Sequence, residues 1–470
     1  MHWDNNNKKP LSVFLLVMIN VIAIDSLRNL SSNAIYGLGI PFYYFLAFIG
    51  FMLPCALVTA ELATHHPKTG GVYVWVERAF GAPFGFLTIW LQWIYNVFWY
   101  PTILLFIAAN IAYLIDPALE SNPVFMLGTV LFLFLLSTLS NCFGMKISGG
   151  ISTLCAIAGT LLPMIAISGL GIYWLVQGHG LAIHVSTEAF FPAPWKENNL
   201  AFFVIVLFSL FGLEMSAVHA GEVENPQRDY PRSLLYSSIL IMLTVMTASL
   251  AVAIIVPHDS LSIISGLDQA FSLFLHKLHL GWLLPLALIA IILGGFGGMS
   301  AWVIGPTKGL AVAADEGYAP ALWARRNKRG VPSTILWIQA VLVCLMTLFF
   351  VTFPSLNTAY WILSNLTSEL ALLFYMFMFA AAIRLRYKNP APVPEKAYKI
   401  PGGQWGIWVA AGLGMISCLI AFSLSFIPPK DLPLPSIEIY EAILIVGILV
   451  FSLPPVLYYL WDRQRRTLRE

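Results

Sequence analysis

The sequence predicts an all-α integral membrane protein with twelve transmembrane helices. Of the 470 residues, 59% are hydrophobic and only 10% are charged, and the mean hydropathy is +0.80. Soluble proteins carry about 25% charged residues. This chain therefore cannot cover a globule with polar surface, and a lipid bilayer must be its solvent. Apolar runs long enough to cross a bilayer recur from one end of the chain to the other.

A transmembrane helix needs about 20 predominantly apolar residues. Twelve segments meet this requirement, and we number them as spans in chain order: 11–36, 40–63, 84–114, 123–141, 147–176, 200–220, 232–256, 281–312, 332–352, 356–385, 404–427 and 437–461.

The distribution of Lys and Arg predicts the orientation, because cytoplasmic connections are enriched in these residues. One set of alternate connections holds Lys196, Lys277 and Lys430, whereas the other set and the two tails hold most of the basic residues. Both termini should therefore be cytoplasmic in a multi-pass protein of the plasma (inner) membrane. The first apolar run lacks an A-x-A-like cleavage site, so no cleavable signal peptide is expected.

Span one is interrupted at about half its length by polar and charged residues. After FLLVMINVIAI, which ends at Ile24, the chain places Asp25, Ser26, Arg28 and Asn29. Charges at the bilayer centre are costly unless the backbone unwinds beside water or the charges pair. The sequence therefore predicts a broken helix.

Span six is interrupted in the same way, within residues 202–229. Gly212 and Glu214 fall at membrane depth, and small residues such as Ser216 follow. An ionisable residue in a transmembrane segment normally faces a cavity or a partner, and broken helices at the midplane bind the cargo of many transporters. The alternative is a kinked structural helix whose Glu pairs with a neighbour.

The two interruptions lie five spans apart, and this odd offset predicts two inverted-topology repeats with a central site. The expected units are a cytoplasmic tail (1–10), a first repeat (11–200), a second repeat (201–385), spans eleven and twelve (404–461) and a short tail (462–470). An unwound helix exposes N–H groups that bind a carboxylate and C=O groups that bind an ammonium. An amino acid carries both groups.

Span ten adds a second acidic residue near mid-membrane. Glu369 lies in LTSEL and is followed by Tyr375. The rise of 1.5 Å per residue puts Glu369 roughly 18–20 Å below the external end of the span. It either contributes to the central site or forms a hydrogen bond between helices.

Other polar features predict no chemistry of their own. Residues 70–81 form an amphipathic stretch that we expect at the cytoplasmic interface. His276 and His279 are expected in an external loop. The five cysteines lie in or beside apolar runs without paired spacing, so disulfides, metal ligands and cofactors are not expected.

Several motifs resemble the amino acid–polyamine–organocation (APC) superfamily, most closely its glutamate/GABA antiporter branch. They are AELATHHPKTGGVYVWVERAFG, LFSLFGLEMSAVHAGEVENPQRDYP, SAWVIGPTKGLAVAADEGYAPALWARRNKRGVP and YKIPGG. The pattern G-[LV]-E-x-S-A-x-H-x-x-E-x-x-N-P-x-R-D-Y-P at 212–231 is specific, and the resemblance covers nearly the whole chain.

The resemblance implies a 5+5 inverted-repeat, leucine-transporter-like core plus two extra helices. By position, Glu214 matches the acidic residue of broken helix six, Tyr375 matches a site tyrosine, and Glu61 and Glu224 match acidic positions at cytoplasmic helix ends. This chain departs from glutamate/GABA members in having Gly298 and Arg28 where those have an acid and a tyrosine, and it lacks their long C-terminal plug.

The sequence therefore predicts a secondary amino-acid transporter, an antiporter that exchanges an amino acid for a related one or for its decarboxylation product. The alternatives are a polyamine or basic amino-acid permease and a non-transporting nutrient sensor. No enzyme motif and no nucleic-acid-binding feature is evident, and the sequence leaves a homodimer open. The candidate substrate-binding residues are Ile24, Asp25, Ser26, Arg28, Asn29, Gly212, Glu214, Ser216, Glu369 and Tyr375, and the candidate gating or pH-sensing residues are Glu61, Glu214, His219 and Glu224.

Overall fold

A computed structural model describes residues 11–66, 70–143, 153–192, 199–223, 225–353, 355–388, 397–428 and 436–467. Within these ranges the structure is helical, and the β-type pairing is an isolated bridge between Leu11 and Val223. The all-α prediction is confirmed.

Each of the twelve predicted spans contains helix. The helices are α1 (Val13–Ile24), α2 (Asn29–Ala34), α3 (Gly37–His65), α4 (Val72–Phe80), α5 (Ala82–Ile115), α6 (Pro123–Cys142), α7 (Cys155–Val176), α8 (Asn199–Phe208), α9 (Pro226–Ile255), α10 (Gly266–Lys277), α11 (Leu284–Asp315), α12 (Ser333–Phe349), α13 (Leu356–Tyr387), α14 (Gly403–Leu424), α15 (Ile437–Ser452) and α16 (Pro454–Thr467). A further 3-10 helix follows α8 (Leu213–Glu222), and short helical turns lie at Pro117–Ser121, Thr187–Phe190, His258–Ser260, Gly281–Leu283, Ala321–Ala324 and Phe350–Thr352.

Spans one and six are both broken, as predicted. In the described ranges, nine helices are long and apolar enough to cross a bilayer, and three apolar helices are shorter: Val13–Ile24, Phe203–Ala217 and Ser333–Phe349. The first two belong to spans one and six. We refer to residues 25–28 as the first break and to residues 209–212 as the second break.

The helices that surround the breaks form the interior of the protein. In the most apolar window of α5 and of α13, 72% of the residues are buried, against 17% for the span Ile437–Asp462. Spans three and ten therefore lie at the centre of the bundle, and span twelve lies at its periphery with its apolar side chains exposed to the expected lipid.

Two connections differ from the sequence-based expectations. The amphipathic stretch 70–81 does form a helix, but most of α4 is buried against α5 and α13, so its apolar face packs on protein. The expected external loop before span eight contains the twelve-residue helix α10, and His276 belongs to it. The apolar residues of α10 are buried against α2 and α9, and this tertiary packing stabilises a helix too short to span.

Candidate functional site

The first break places two charged side chains inside the bundle. Asp25 ends α1 by donating its backbone N–H to the carbonyl oxygen of Val21 (2.8 Å), and α2 begins after Arg28. Asp25 is 3% exposed and Arg28 is 1% exposed. No ion pair joins these two residues in the described structure. Each charge is therefore held by other helices.

Arg28 is surrounded by neutral groups. Its Nη1 lies 2.9 Å from the Thr102 hydroxyl, 3.1 Å from the Tyr360 hydroxyl and 3.3 Å from the Ser364 hydroxyl. The guanidinium carbon lies 5.4 Å from the ring centres of Phe208 and Tyr360, a cation–π distance. Nε has no hydrogen-bond partner. No described carboxylate neutralises this buried cation, so the site has an uncompensated positive charge.

Asp25 points towards α9 and a small cavity. Its Oδ2 accepts a hydrogen bond from the Thr244 hydroxyl (2.9 Å), and its Oδ1 has no partner among the described residues. The cavity measures about 20 Å³ and is lined by Asp25, Ser26, Trp99 and Gly298 among others. This volume holds about one water molecule, so the cavity beside Asp25 has the size of a single small molecule and is not an open pathway.

The second break is built by backbone conformation and a tyrosine. Gly212 has φ +123°, a conformation that side-chain-bearing residues rarely adopt. Its N–H donates to the Tyr375 hydroxyl (2.8 Å), which in turn donates to Oε2 of Glu214 (2.7 Å). Tyr375 thus satisfies an N–H that the broken helix leaves without an internal partner. It also fixes the Glu214 carboxyl, whose Oε1 has no described partner.

Aromatic side chains enclose this second cluster. The Tyr375 ring centre lies 4.7 Å from that of Phe211 and 4.9 Å from that of Phe51. Gln92 donates to the sulfur of Met215 (3.4 Å). The Glu214 carboxyl is therefore held in a largely apolar environment, where an oxygen without a partner is costly.

Trp302 of α11 joins the two breaks. Its indole N–H donates to the carbonyl oxygen of Ala23 (2.9 Å), near the end of α1. A Cβ at Gly212 would lie 3.0 Å from Ile24 and 3.1 Å from Trp302. The breaks are thus in contact, and Trp302 satisfies an α1 carbonyl close to the interruption. We did not predict this role, although a tryptophan next to the glycine-rich run GGFGGMSAW was a visible signal.

The remaining candidates occupy different positions. Ser26 accepts the Asn29 N–H through its carbonyl oxygen (3.1 Å), and Asn29 begins α2. The Ser216 hydroxyl lies 2.8 Å from that of Tyr230. His219 lies in the 3-10 helix after the second break, and Glu224 lies outside the described residues.

Glu369 is not part of the cluster at the breaks. Its Oε1 accepts a hydrogen bond from the hydroxyl of Ser425, just after α14 (2.6 Å), and its Oε2 has no described partner. Tyr440 donates to the Ser425 carbonyl oxygen (2.8 Å) and accepts from the Asn365 amide (2.5 Å). These contacts join α13 to α14 and α15. In this structure Glu369 therefore forms a hydrogen bond between helices and does not lie at the central site.

Glu61 forms an ion pair near the C-terminal end of α3. Its Oε1 lies 2.5 Å from Nη1 of Arg386, and its Oε2 accepts the N–H of Ile400 (2.7 Å). Arg386 also donates to the Gly403 carbonyl oxygen (2.9 Å). The segment 397–403 is thereby tied to the ends of α3 and α13. An adjacent cavity of about 330 Å³ is lined by residues that include Glu61, Arg386, Gly403, His65, His66, Lys399 and Gln404.

His66 lies just beyond the end of α3. Its Nδ1 lies 2.5 Å from Nη1 of Arg78. Burial and the neighbouring Arg78 charge lower the pKa of His66 to about 4. The ring is therefore neutral near neutral pH and accepts the hydrogen bond from Arg78.

No metal centre is found in the part of the chain that the structure describes. Groups of three or more His, Cys, Asp or Glu side chains that could hold a metal ion do not occur there. The geometry provides instead an isolated guanidinium, two isolated carboxyls and two broken helices. Such an arrangement suits reversible binding of a small charged molecule.

Comparisons with known proteins agree with this reading. The family described as amino acid permease matches residues 9–450. The chain is 50% identical over 454 residues to a protein of Legionella pneumophila named an uncharacterized transporter, and 97% of each chain is covered. It is 29% identical over 465 residues to a glutamate/gamma-aminobutyrate antiporter of Lactococcus lactis (97% and 92% covered). It is 26% identical over 433 residues to a probable agmatine/putrescine antiporter of that species (90% and 89% covered).

Proposed function

Because the chain belongs to the amino acid permease family, we propose that it is a secondary active antiporter that exchanges an amino acid for a related amino acid or its decarboxylation product. The observation that carries the proposal is the buried Arg28 at the first break, which has hydroxyl and aromatic neighbours and no described carboxylate. A cation left in this way inside a membrane protein needs an anion. A substrate carboxylate is the simplest one.

The two breaks divide the binding task in this proposal. Arg28 binds the carboxylate, because a guanidinium favours an anion. The carbonyl groups near Gly212, together with Glu214, bind the amino group. Since Trp302 and Ile24 hold the breaks together, one molecule of amino-acid size can contact both.

A polyamine or a basic amino acid is the second candidate. The supporting observation is Asp25, which lines the small cavity and whose Oδ1 has no partner among the described residues. A second cationic group of the substrate would bind there. The relative named as a probable agmatine/putrescine antiporter is consistent with this candidate. A sensor that binds without transport is the third, and flux measurements separate it from the first two.

We propose that the gate on the basic side of the membrane includes Glu61, with Glu214, His219 and Glu224 as further gating or pH-sensing residues. In support, the Glu61–Arg386 pair ties 397–403 across the ends of α3 and α13. Arg384 lies over the Phe80 ring (5.0 Å), and the Tyr73 hydroxyl contacts Glu316. These contacts place the basic ends of several helices on one side, which we assign to the cytoplasm with both termini. The division of the chain into two inverted repeats, 11–200 and 201–385, is part of the same proposal.

The test uses purified protein in proteoliposomes loaded with one amino acid and diluted into a radiolabelled one. A thermal-shift screen of the twenty amino acids plus agmatine, GABA and putrescine first selects the ligands. An antiporter takes up label only when a ligand is present inside. Uptake that is independent of internal ligand would contradict exchange, and binding without uptake would support a sensor.

A further inference from the structure

Asp268 is a buried carboxyl group outside the membrane-spanning helices and the site at the breaks. It lies in the first turn of α10 and is 0% exposed. Neither of its oxygens has a hydrogen-bond partner among the described residues. A buried polar group without a partner costs free energy, and an isolated buried charge costs far more. The Asp268 carboxyl group therefore needs a binding partner that the described side chains do not supply.

Glu120 is the acidic neighbour of Asp268. It lies in the turn Pro117–Ser121 after α5, and its Oε1 accepts from Ser265 (2.6 Å) and Ser262 (3.4 Å). Burial raises the pKa of Asp268 well above its usual range, and the Glu120 charge raises this pKa further. We call Glu120 and Asp268 the acidic pair. Ionisation of the Asp268 carboxyl is therefore costly both because it is buried and because Glu120 is acidic.

No described cation compensates the acidic pair. Among the described titratable side chains, Tyr113 near the end of α5 also interacts electrostatically with both carboxyls. His276 and Lys277 lie at the far end of α10, where Lys277 Nζ sits 4.8 Å from the Trp174 ring. Among the described side chains of α2, α7, α9 and α11, which pack on α10, no other charged group acts on Asp268.

Helix α10 is attached directly to the outer half of span one. The Leu267 N–H donates to the Ser31 hydroxyl (3.0 Å), and a Cβ at Gly266 would lie 3.0 Å from Ser31. Ser31 lies on α2, three residues after Arg28. Any movement of α10 therefore acts on the short helix that begins at the first break.

We propose that the acidic pair is a proton-binding site that fastens α10 to α2 on the side of the membrane opposite the basic helix ends. When Asp268 holds a proton, it is neutral and remains buried. When Asp268 ionises beside Glu120, it is drawn into water and α10 is released. We propose a proton rather than a metal ion because the described residues contain no group of three or more His, Cys, Asp or Glu side chains that could hold a metal.

The direction of the pH dependence follows from linkage. The pKa of Asp268 is higher in the docked state than in the released, solvated state. Docking is therefore favoured at low pH, below the ordinary Asp pKa, and this contribution is lost as the pH rises through the docked-state pKa. A single linked proton changes the docking equilibrium by about tenfold per pH unit in that window.

The test is hydrogen–deuterium exchange of residues 261–278 in the full chain in nanodiscs, with rates corrected for the intrinsic pH dependence. Between about pH 5 and pH 9, wild-type protection should fall by up to about tenfold per pH unit. Asp268→Asn should stay protected throughout, because an amide is neutral at every pH. Asp259→Asn, which alters a fully exposed carboxylate nearby, should keep the wild-type profile.

Two further arms keep the result decisive. Ser265→Ala removes a hydrogen bond to Glu120 and should lower protection at every pH while the slope remains, so it replaces Asp268→Asn if that variant fails to fold. An Asp268→Asn or Ser265→Ala profile that contradicts these expectations overturns the proposal. Protection of wild-type α10 by Ca²⁺ or Mg²⁺ at high pH, absent in Asp268→Asn, would also overturn it in favour of a metal.

The inference depends on the proposed transport function only for its consequence, the control of access to the first break. Hydrogen–deuterium exchange in nanodiscs exposes both faces of the protein to one pH and requires no substrate. A failed transport assay therefore leaves the hydrogen–deuterium exchange result intact, and a flat hydrogen–deuterium exchange profile leaves the antiporter proposal intact.

Discussion

The two breaks solve one structural problem in different ways. At the first break, two charged side chains, Asp25 and Arg28, diverge from the unwound backbone to hydroxyl groups on α5, α9 and α13. At the second, the left-handed-region φ of Gly212 turns the chain, and Tyr375 bridges the Gly212 N–H and the Glu214 carboxyl. The first is held by side chains that reach outwards, and the second by backbone geometry and a clamp.

This difference indicates a division of labour. A cation held only by neutral hydroxyls can exchange those partners for a substrate carboxylate at modest cost, because each neutral hydrogen bond contributes only about 1 kcal/mol net. A glycine turn with a buried tyrosine clamp has few alternative arrangements. We therefore expect the first break to rearrange when a ligand binds, and the second break to keep its backbone conformation while its carbonyl groups and Glu214 contact the ligand. The following predictions test that expectation, from the largest effect to the smallest.

Arg28→Met should produce the largest loss of ligand binding. If Arg28 binds the substrate carboxylate, its loss should weaken the binding of amino acids by on the order of 2–5 kcal/mol, as for one partner of a buried charge pair. Amines without a carboxylate should be spared, and the melting temperature without ligand should not fall. Calorimetric titration with matched acid and amine pairs measures this.

The matched control for that prediction is Arg326→Gln, which removes a partly exposed guanidinium paired with Asp315. It should leave both ligand classes unchanged. If Arg28→Met weakens acids and amines equally and also lowers the melting temperature, Arg28 has a structural role and the contrast between the breaks is lost.

Gly212→Ala should destabilise the fold rather than ligand binding selectively. An alanine at position 212 must adopt a strained φ, and its Cβ would lie 3.0–3.1 Å from Ile24 and Trp302. We therefore expect a loss of roughly 1–3 kcal/mol in the free energy of unfolding. Gly169→Ala in α7, where a Cβ meets nothing within 4 Å, is the control and should be neutral or stabilising. Thermal unfolding in detergent measures both, and equal melting temperatures would refute the role of the Gly212 conformation.

Tyr375→Phe should cost about 1–3 kcal/mol of stability, because it leaves the buried Gly212 N–H without its acceptor. Tyr236→Phe removes the hydroxyl of an exposed tyrosine and should cost almost nothing. Denaturant or thermal unfolding of the two variants gives the comparison. A Tyr375→Phe variant as stable as Tyr236→Phe would mean that the clamp contributes nothing to the second break.

Glu214→Gln should have the smallest effect on stability, since the amide oxygen can still accept from the Tyr375 hydroxyl. Because the amide mimics a protonated carboxyl, the variant should flatten the pH dependence of exchange in proteoliposomes while the fold is kept. Glu214→Ala should lose exchange as well. Wild-type flux at every pH in the Gln variant would show that the Glu214 charge is incidental.

The spans and both breaks could be predicted because their signals are local. A run of about 20 apolar residues, or a charge and a glycine within one, indicates its own structure wherever it packs. Helix α10 was not predicted as a helix, because its stability comes from buried contacts with α2 and α9 rather than from length or composition. Trp302 was missed for a related reason, since its acceptor at Ala23 is 279 residues away in the chain.

The sequence by itself determined that this chain is an integral membrane protein, that spans one and six are broken, and which charged residues lie at those breaks. Only the tertiary structure decided the partners. It separated Asp25 from Arg28, directed Glu369 to Ser425 rather than to the breaks, and placed Asp268 in a buried position beside Glu120. The physical reason is that the cost of burying a charge is set by residue type and depth, whereas the group that offsets the cost is set by which helices pack together.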